Sequence, residues 1–169
     1  NRGNLIEATL KALISQHTKQ PYEIIIVNGG GKNNCQQILE KWKTKFPNLK
    51  IFITKNINLS ASRNIGLREC TGNLILQTDD DARPFPNWIE RIVEAHKLYP
   101  DVGVIGGDVI DAGGTSYLSQ IADMATFPHH YNTCEVRSVP GVNSSYKKEV
   151  IDQVGKYDET LFRGEDVDY

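Results

Sequence analysis

The sequence predicts an α/β fold of three layers, in which helices cover both faces of a mostly parallel central sheet. Short β-branched runs alternate along the chain with segments of helical periodicity that are long enough to connect parallel strands. The chain has 169 residues, of which 39% are hydrophobic, and this is enough for one domain with a buried core. In such sheets ligands bind beyond the carboxyl ends of the strands, so the residues that follow each strand are the candidates for function.

The first half of the chain gives the clearest alternation. Strands are predicted over 22–27, 49–54 and 74–76, where apolar and β-branched residues are concentrated. Three helices are predicted around these strands, and Ser60 is expected to cap the third helix, which runs through Cys70. The predicted apolar faces of the first two helices are Ile6, Leu10 and Leu13, and then Ile38, Leu39, Trp42 and Phe46.

The second half is predicted to contain three more helices and one strand. Asn87 precedes the first of these helices and has capping-box-like spacing to Glu90. A glycine-interrupted strand is predicted over 102–110, a helix over 117–125, and a short helix over 148–154 that ends at a glycine. The predicted apolar stripe of the first helix is Trp88, Ile89, Ile92, Val93 and Leu98.

Composition and charge exclude two classes of function. The formal net charge is −2, whereas a nucleic-acid-binding protein usually carries a basic face, so no nucleic-acid partner is expected. No apolar run approaches the ~18–20 residues that span a bilayer, so no transmembrane helix is predicted within these residues. The three scattered cysteines are typical of reduced thiols in an intracellular protein and form no disulfide framework.

A glycine-rich loop follows the first predicted strand. It matches neither a Walker loop, which needs Ser or Thr at the place of Asn33, nor a dinucleotide fingerprint, which needs a third glycine at the place of Asn34. Two interpretations stay open for this loop: close approach to a ligand at a helix N-terminus, or an ordinary turn between a strand and a helix.

Three aspartates follow the strand over 74–76. Strand alternation sends Asp79 and Asp81 to the same side, while Asp80 points elsewhere. Like charges that share one side repel, and a divalent metal held by one or two carboxylates and by substrate phosphate oxygens would relieve the repulsion. The alternative is a favourable interaction with the dipole of the next helix, but that helix is predicted to start near Asn87, which is too distant.

A second acidic cluster includes Glu165 and Asp166 near the end of the chain. A solvated loop is the ordinary interpretation of such a cluster, and spacing alone does not bring it to the first three aspartates. The segment that holds His129, His130 and Cys134 lacks both the spacing and the fourth ligand of a structural zinc site, so zinc is not expected.

Four segments, over 1–16, 22–31, 58–89 and 141–169, together resemble one family. Their order, the TDDD motif after a strand and the GEDVD motif near the end are similar to the family 2 glycosyltransferases, which are nucleotide-sugar-dependent enzymes of the GT-A fold. The resemblance therefore implies that the predicted α/β sheet is the Rossmann-like sheet of a GT-A domain.

The resemblance also implies how the domain is divided. One GT-A catalytic domain is expected over 1–169, with a nucleotide-sugar-binding half over 1–110 and an acceptor-side half over 111–169. A further central strand is expected before Asn1, and more of the acceptor side is expected after Tyr169.

Donor and metal binding are assigned by resemblance to residues at the strand ends. Asp79 and Asp81 match the DxD pair, so Asp79 would approach the ribose or the sugar and Asp81 would coordinate Mg²⁺ or Mn²⁺ on the diphosphate. Further donor-binding residues implied in this way are Asp80, Arg63, Asn28 and Gly29. The last two stand where the family commonly has two acidic residues, and only Asn28 retains a side chain that could hydrogen-bond a uracil edge.

The resemblance places the reaction itself near the end of the chain. Asp166 matches the general base, with Glu165 beside it, and Gly141 and Asn143 match the acceptor-side loop beneath the donor sugar. An acceptor hydroxyl is a poor nucleophile, so a carboxylate must take its proton as it attacks the anomeric carbon. A divalent metal would neutralise the charge on the departing nucleoside diphosphate. One base and one displacement imply an inverting glycosyltransferase.

The resemblance further implies a nucleotide-sugar donor, with a UDP-sugar as the first choice and GDP- and TDP-sugars as alternatives. The acceptor is expected to be a saccharide, a lipid-linked molecule or a protein, and polysaccharide biosynthesis is one expected role. Cytosolic nucleotide sugars and reduced cysteines predict a cytoplasmic location, with peripheral association at the inner face of the membrane as a variant. Two other functions stay open: a metal-dependent nucleotidyl- or phosphotransferase that uses the same aspartates, and a non-catalytic nucleotide-sugar-binding module.

Overall fold

The computed structural model describes residues 2–30, 34–55, 58–110, 132–161 and 164–169, and the single positions 117, 121, 126, 127 and 130. Helices and strands alternate along these residues, as the sequence predicts. In chain order, the elements are α1 (Arg2–Ile14), β1 (Ile24–Asn28), α2 (Cys35–Lys43), β2 (Leu49–Ile53), α3 (Leu59–Glu69), β3 (Leu74–Gln77), α4 (Trp88–Leu98), β4 (Val104–Gly106), a 3₁₀ turn (Gly141–Asn143), β5 (Ser144–Lys147), α5 (Lys148–Val154) and α6 (Glu165–Asp168).

The strands of the described residues form two sheets. β1 and β2 are parallel, with Ile24 opposite Leu49 and Asn28 opposite Ile53. β5 lies between β3 and β4 and runs antiparallel to both. The α/β prediction is confirmed, but the sequence did not predict β5, because its residues Ser-Ser-Tyr-Lys lack both an apolar run and a clear alternation.

The larger core joins α1 and α2 to the parallel strands. Ile6, Leu10 and Leu13 of α1 are all buried, which confirms the predicted face of that helix. Leu39 and Trp42 of α2 complete the core from the other helix. Full burial of one such side chain stabilises the fold by about 1.5–3 kcal/mol, so this cluster holds α1 firmly against the sheet.

A smaller core supports the antiparallel sheet. Ile75 of β3, Tyr146 of β5 and Ile151 of α5 are buried together. Leu67 of α3 and Tyr169 at the end of α6 pack against them. This core therefore brings α3 and α6, the two helices that carry charged candidate residues, to the same sheet.

The start of α3 differs from the prediction. Asn58, not Ser60, is the N-cap, and its Oδ1 accepts a hydrogen bond from Ala61 N at 2.8 Å. Ser60 lies within the first turn, where its hydroxyl is fully buried and donates to the carbonyl oxygen of Leu161 at 3.2 Å. The helix ends at Glu69, one residue earlier than predicted.

Helix α4 also differs from its predicted pattern. Asn87 precedes the helix but makes no capping hydrogen bond through its side chain, and the Glu90 carboxylate, the other half of the predicted box, accepts from Thr18 Oγ1 at 2.6 Å. Leu98 is 70% exposed, and His96 occupies the buried position near that end of the helix at 8% exposure. Both the predicted capping box and the last position of the predicted apolar stripe are therefore wrong.

The remaining predicted elements have mixed outcomes. The short helix over 148–154 is confirmed as α5, and Gly155 after it has a φ of +95°, a conformation that favours glycine. The strand predicted over 102–110 is limited to β4. Most of the helix predicted over 117–125 lies outside the described residues. None of the helices in the described part of the chain has the length and apolar character needed to cross a membrane.

We expect the buried His96 to make the fold sensitive to acid. Its Nε2 lies 2.9 Å from Ser145 Oγ, and burial together with the Lys147 charge lowers the pKa of the imidazole. Below about pH 6.5 the unfolded chain therefore binds more protons than the folded one, and stability falls as pH falls, by up to about 1.4 kcal/mol per pH unit.

Urea unfolding between pH 7.5 and pH 5.5 measures this loss. His96→Gln keeps an amide donor toward Ser145 but cannot titrate, so its pH slope should be clearly smaller than that of the unsubstituted chain. His17→Gln is the matched control, because His17 is exposed and should keep the original slope. Equal slopes in the two variants would contradict the assignment to His96.

Candidate active site

The aspartate loop directly follows β3 and is anchored by α1. Asp79 is half-buried, whereas Asp80 and Asp81 are exposed, and Ala82 N donates to Asp79 O at 3.3 Å to close a turn. The buried Thr9 holds this turn, because its hydroxyl lies 3.0 Å from Asp80 O and 2.7 Å from Ala82 O. The apolar face that fixes α1 in the core therefore also fixes the backbone of the acidic loop.

Electrostatic coupling places the two acidic regions of the sequence near each other. Burial raises the pKa of Asp79, the Arg63 guanidinium opposes this rise, and the carboxylates of Asp81, Asp80 and Asp166 add to it. Asp79 thus lies within electrostatic reach of Asp166, although the two are 87 positions apart in the sequence. Spacing alone could not establish this proximity.

A buried ion pair joins α3 to α6. Arg63 Nη1 bonds Glu165 Oε1, and the two side chains are only 9% and 7% exposed. The guanidinium carbon of Arg63 also lies 5.4 Å from the ring centroid of Tyr157. A charge buried this deeply is tolerated only when it is paired, so each partner fixes the position of the other.

Gly141 is the point where the candidate residues converge. Its N–H donates to Asp166 Oδ2 at 3.1 Å, and its carbonyl accepts from Gln77 Nε2 at 2.9 Å. A Cβ at this position would lie 2.6 Å from Arg63 Nη2 and 3.1 Å from both Asp166 Oδ2 and Gln77 Nε2. Only a residue without a side chain leaves room for these three groups.

The Asn143 side chain is engaged on both sides. Its Oδ1 accepts from Trp88 Nε1 at 2.8 Å, and its Nδ2 donates to Asp108 O at 2.9 Å. Gly107 lies against it, since a Cβ there would be 2.6 Å from Asn143 Nδ2. Asn143 therefore fixes the 3₁₀ turn between α4 and the segment after β4.

Asn28 and Gly29 lie at the carboxyl end of β1, and the Asn28 side chain makes two hydrogen bonds there. Asn28 Oδ1 accepts from Gly30 N at 3.1 Å, and Asn28 Nδ2 donates to Gln36 Oε1 at 3.1 Å. The Asn28 NH₂ group has two hydrogens, and among the described residues only one of them has a partner. Asn28 is linked to its own loop and to α2. The other candidate residues are related to one another by contacts or by electrostatic interaction: Arg63, Asp79–Asp81, Gly141, Glu165 and Asp166.

Two side chains that sequence reasoning missed, Asn58 and Asn64, help to hold the site together. Asn58 Nδ2 donates to Glu159 O at 2.6 Å, and Asn64 exchanges two hydrogen bonds with the Tyr157 backbone, at 2.8 and 2.9 Å. Together with Ser60, these side chains fasten α3 to the segment over 157–161. Their signal was present in the sequence as polar residues of a helix whose buried face should have been apolar.

The possible metal ligands are the strand-end aspartates. Among the residues that the structure describes, no three His, Cys, Asp or Glu side chains are grouped closely enough to hold a metal by themselves. Asp79 and Asp81 nevertheless supply hard oxygen ligands, and their mutual repulsion would be relieved by a cation. This donor set fits Mg²⁺ or Mn²⁺, which usually take one or two carboxylates and complete their shells with phosphates and water.

Comparison with known proteins identifies the family. The family model described as "Glycosyl transferase family 2" matches residues 1–155. The chain belongs to glycosyl transferase family 2. The resemblance found in the sequence is thereby confirmed, and with it the class of glycosyltransferases.

One curated relative and two solved structures are also similar to this chain. Glycosyltransferase AglE of Haloferax volcanii is 29% identical over 99% of this chain and 56% of its own length. The structure of S. aureus TarS 1-349 in complex with UDP-GlcNAc has a TM-score of 0.73 at 19% identity, covering 98% of this chain and 48% of that one. The mannosyltransferase PcManGT from Pyrobaculum calidifontis, solved with GDP-Man and Mn²⁺, has a TM-score of 0.74 at 20% identity, covering 98% and 46%.

These comparisons confirm the GT-A fold of a family 2 chain and its α/β class. At under 25% identity the two solved structures support the fold alone. The chain spans about half the length of these three proteins, so it corresponds to part of each of them.

Proposed function

We propose that this chain forms the core of an inverting glycosyltransferase that moves a sugar from a nucleotide-sugar donor to an acceptor hydroxyl. The observation that carries the proposal is that Arg63 and Asp166 meet at Gly141 and that both lie within electrostatic reach of Asp79. A donor diphosphate at the aspartate loop would then lie near the carboxylate of Asp166. In this proposal residues 1–110 bind the donor and residues 111–169 form the acceptor side.

Asp166 is the proposed general base. Its Oδ2 accepts from Gly141 N, so this oxygen is held and the other oxygen can meet an acceptor hydroxyl. The carboxylate takes the hydroxyl proton while the acceptor oxygen attacks the anomeric carbon from the side opposite the diphosphate. The bond from the anomeric carbon to the diphosphate breaks in the same displacement, which inverts the configuration. Glu165 does not compete for this role, because it is buried against Arg63.

Asp81 and Asp79 are the proposed ligands of Mg²⁺ or Mn²⁺ on the donor diphosphate. A bound metal would supply positive charge for the leaving nucleoside diphosphate. The exposed Asp81 is free to face the donor, and the half-buried Asp79 can reach the ribose or the sugar. The Mn²⁺ in the PcManGT complex supports a divalent metal here by family likeness.

The donor is proposed to be a UDP- or GDP-sugar. TarS was solved with UDP-GlcNAc and PcManGT with GDP-Man, so both bases occur among the structural neighbours. The Asn28 amide is the group proposed to hydrogen-bond a base, whereas Gly29 offers no side chain. A saccharide, lipid-linked or protein acceptor and a site of action at the cytoplasmic face of a membrane complete the proposal.

Titration calorimetry with UDP, GDP and TDP, each with and without Mn²⁺, tests the donor site. We expect Asp81→Ala to remove the metal-dependent part of nucleotide binding, because one of two proposed carboxylate ligands is lost. Asp101→Ala is the matched control, since Asp101 is an exposed acid in the turn before β4. Tight binding that is independent of Mn²⁺ in the unsubstituted chain would overturn the proposed metal role.

A further inference from the structure

Gln77 is the polar last residue of β3, and the mechanism above gives it no role. Its Nε2 donates to Gly141 O at 2.9 Å, and its Oε1 accepts from Tyr157 Oη at 3.1 Å. A carbonyl oxygen cannot donate, so the contact with Gly141 fixes which end of the Gln77 amide faces it. The other end must then accept from the Tyr157 hydroxyl.

Tyr157 is a dependable donor for this contact. It is only 1% exposed, and burial raises the pKa of its phenol, so its hydroxyl stays protonated at every working pH. Its ring stacks on Tyr169, with centroids 4.0 Å apart, and its backbone is bonded to Asn64 of α3. The ring and the backbone of Tyr157 are therefore both held in place.

Both backbone groups of Gly141 belong to one chain of hydrogen bonds. Tyr157 donates to Gln77, Gln77 donates to the Gly141 carbonyl, and the Gly141 N–H donates to Asp166 Oδ2. Glycine has no side chain to restrict its backbone, so Gly141 depends on these contacts for its orientation. We propose that Gln77 is a positioning residue that aims the Asp166 carboxylate at the acceptor hydroxyl by holding the Gly141 turn.

This inference rests on the proposed function, because it assigns Asp166 as the base, but its first readout is independent of activity. Gln77→Glu keeps the size of the side chain and the acceptor for Tyr157, and it removes the donor to Gly141. Gln77→Met removes both hydrogen bonds at similar volume. Tyr157→Phe is the matched control, since it keeps the ring and leaves the bond from Gln77 to Gly141 in place, and it removes the hydroxyl that bonds Gln77 and lies 3.4 Å from Tyr146 Oη.

Two measurements on the full chain decide the question. Amide hydrogen exchange at Gly141 should become at least tenfold faster in Gln77→Glu and Gln77→Met and should change less in Tyr157→Phe. In Gln77→Glu and Gln77→Met, the kcat of sugar transfer per nucleotide-binding site should fall at least tenfold. The KM for the donor should stay within about twofold of its original value. A role in folding alone would reduce the number of binding sites and leave kcat per site unchanged.

Faster exchange at Gly141 together with a lower kcat per site supports the positioning role of Gln77. Unchanged exchange, or faster exchange with unchanged kcat, overturns that role while the proposed function stands. If the unsubstituted chain transfers no sugar from any UDP-, GDP- or TDP-sugar, the proposed function fails, and the positioning role fails with it whatever the exchange rates are.

Discussion

Asp166→Asn is expected to lower the rate of sugar transfer by about 10²–10⁴-fold, the usual contribution of a general base. The amide oxygen of asparagine can still accept from Gly141 N, which now bonds Asp166 Oδ2 at 3.1 Å, so the geometry of the turn is retained. The amide cannot take up a proton, and only the chemical step should therefore suffer. Donor affinity is expected to stay within about twofold.

Initial rates at saturating donor, combined with calorimetric donor affinity, measure this effect. Asp168→Asn is the matched control, because Asp168 is an exposed aspartate of the same helix. A variant that binds donor but transfers no sugar would separate an enzyme from a nucleotide-sugar-binding module. Unchanged transfer in Asp166→Asn would show that another group is the base.

Glu165→Ala is expected to cost about 3–5 kcal/mol of folding free energy, the range for breaking a buried ion pair from one side. Beside Glu165, the Arg63 side chain is only 9% exposed. Without Glu165 this buried charge would lose its ion-pair partner, and a guanidinium cannot avoid the cost by losing a proton. The pair also joins α3 to α6, so its loss should loosen the position of Asp166 as well.

Urea unfolding at neutral pH gives the magnitude of this loss. Glu69→Ala serves as the control, because its pair with Arg68 is at the surface and should contribute less than about 1 kcal/mol. The double variant Arg63→Met, Glu165→Leu should recover much of the lost stability, since apolar residues of similar size remove the unpaired charge. A loss under about 1 kcal/mol in Glu165→Ala would mean that water reaches Arg63.

The sequence predicted those elements whose residues repeat with a clear period. The face of α1 and the end of α5 at Gly155 follow from local patterns, and both are confirmed. The N-cap of α3 was misplaced because Asn58 and Ser60 are both good capping residues, and only the contact of Ser60 with Leu161 distinguishes them. Strand β5 was missed because its pairing with β3 and β4 depends on contacts that are distant in the sequence.

The sequence predicted which residues form the candidate site but not which of them contact one another. The TDDD and GEDVD motifs identified Asp79, Asp81 and Asp166 through family resemblance, and their roles stay predictions until tested. The ion pair of Arg63 with Glu165 joins positions 102 apart, and no local pattern encodes such a distance. The role of Gln77 was not predicted for a related reason, because its hydrogen-bond partners lie in two segments that come later in the chain.

The bonds between α3 and the segment over 157–161 have a consequence for the order of folding. Asn58 and Ser60 each bond a residue 101 positions later in the chain, and closing so long a loop is slow. While the ribosome is still adding those later residues, the arginine on α3 lacks its buried partner Glu165, and α3 lacks its hydrogen bonds to the segment over 157–161. Competence for catalysis should consequently arise late in biogenesis, in the same cooperative step that secures the second half of the domain.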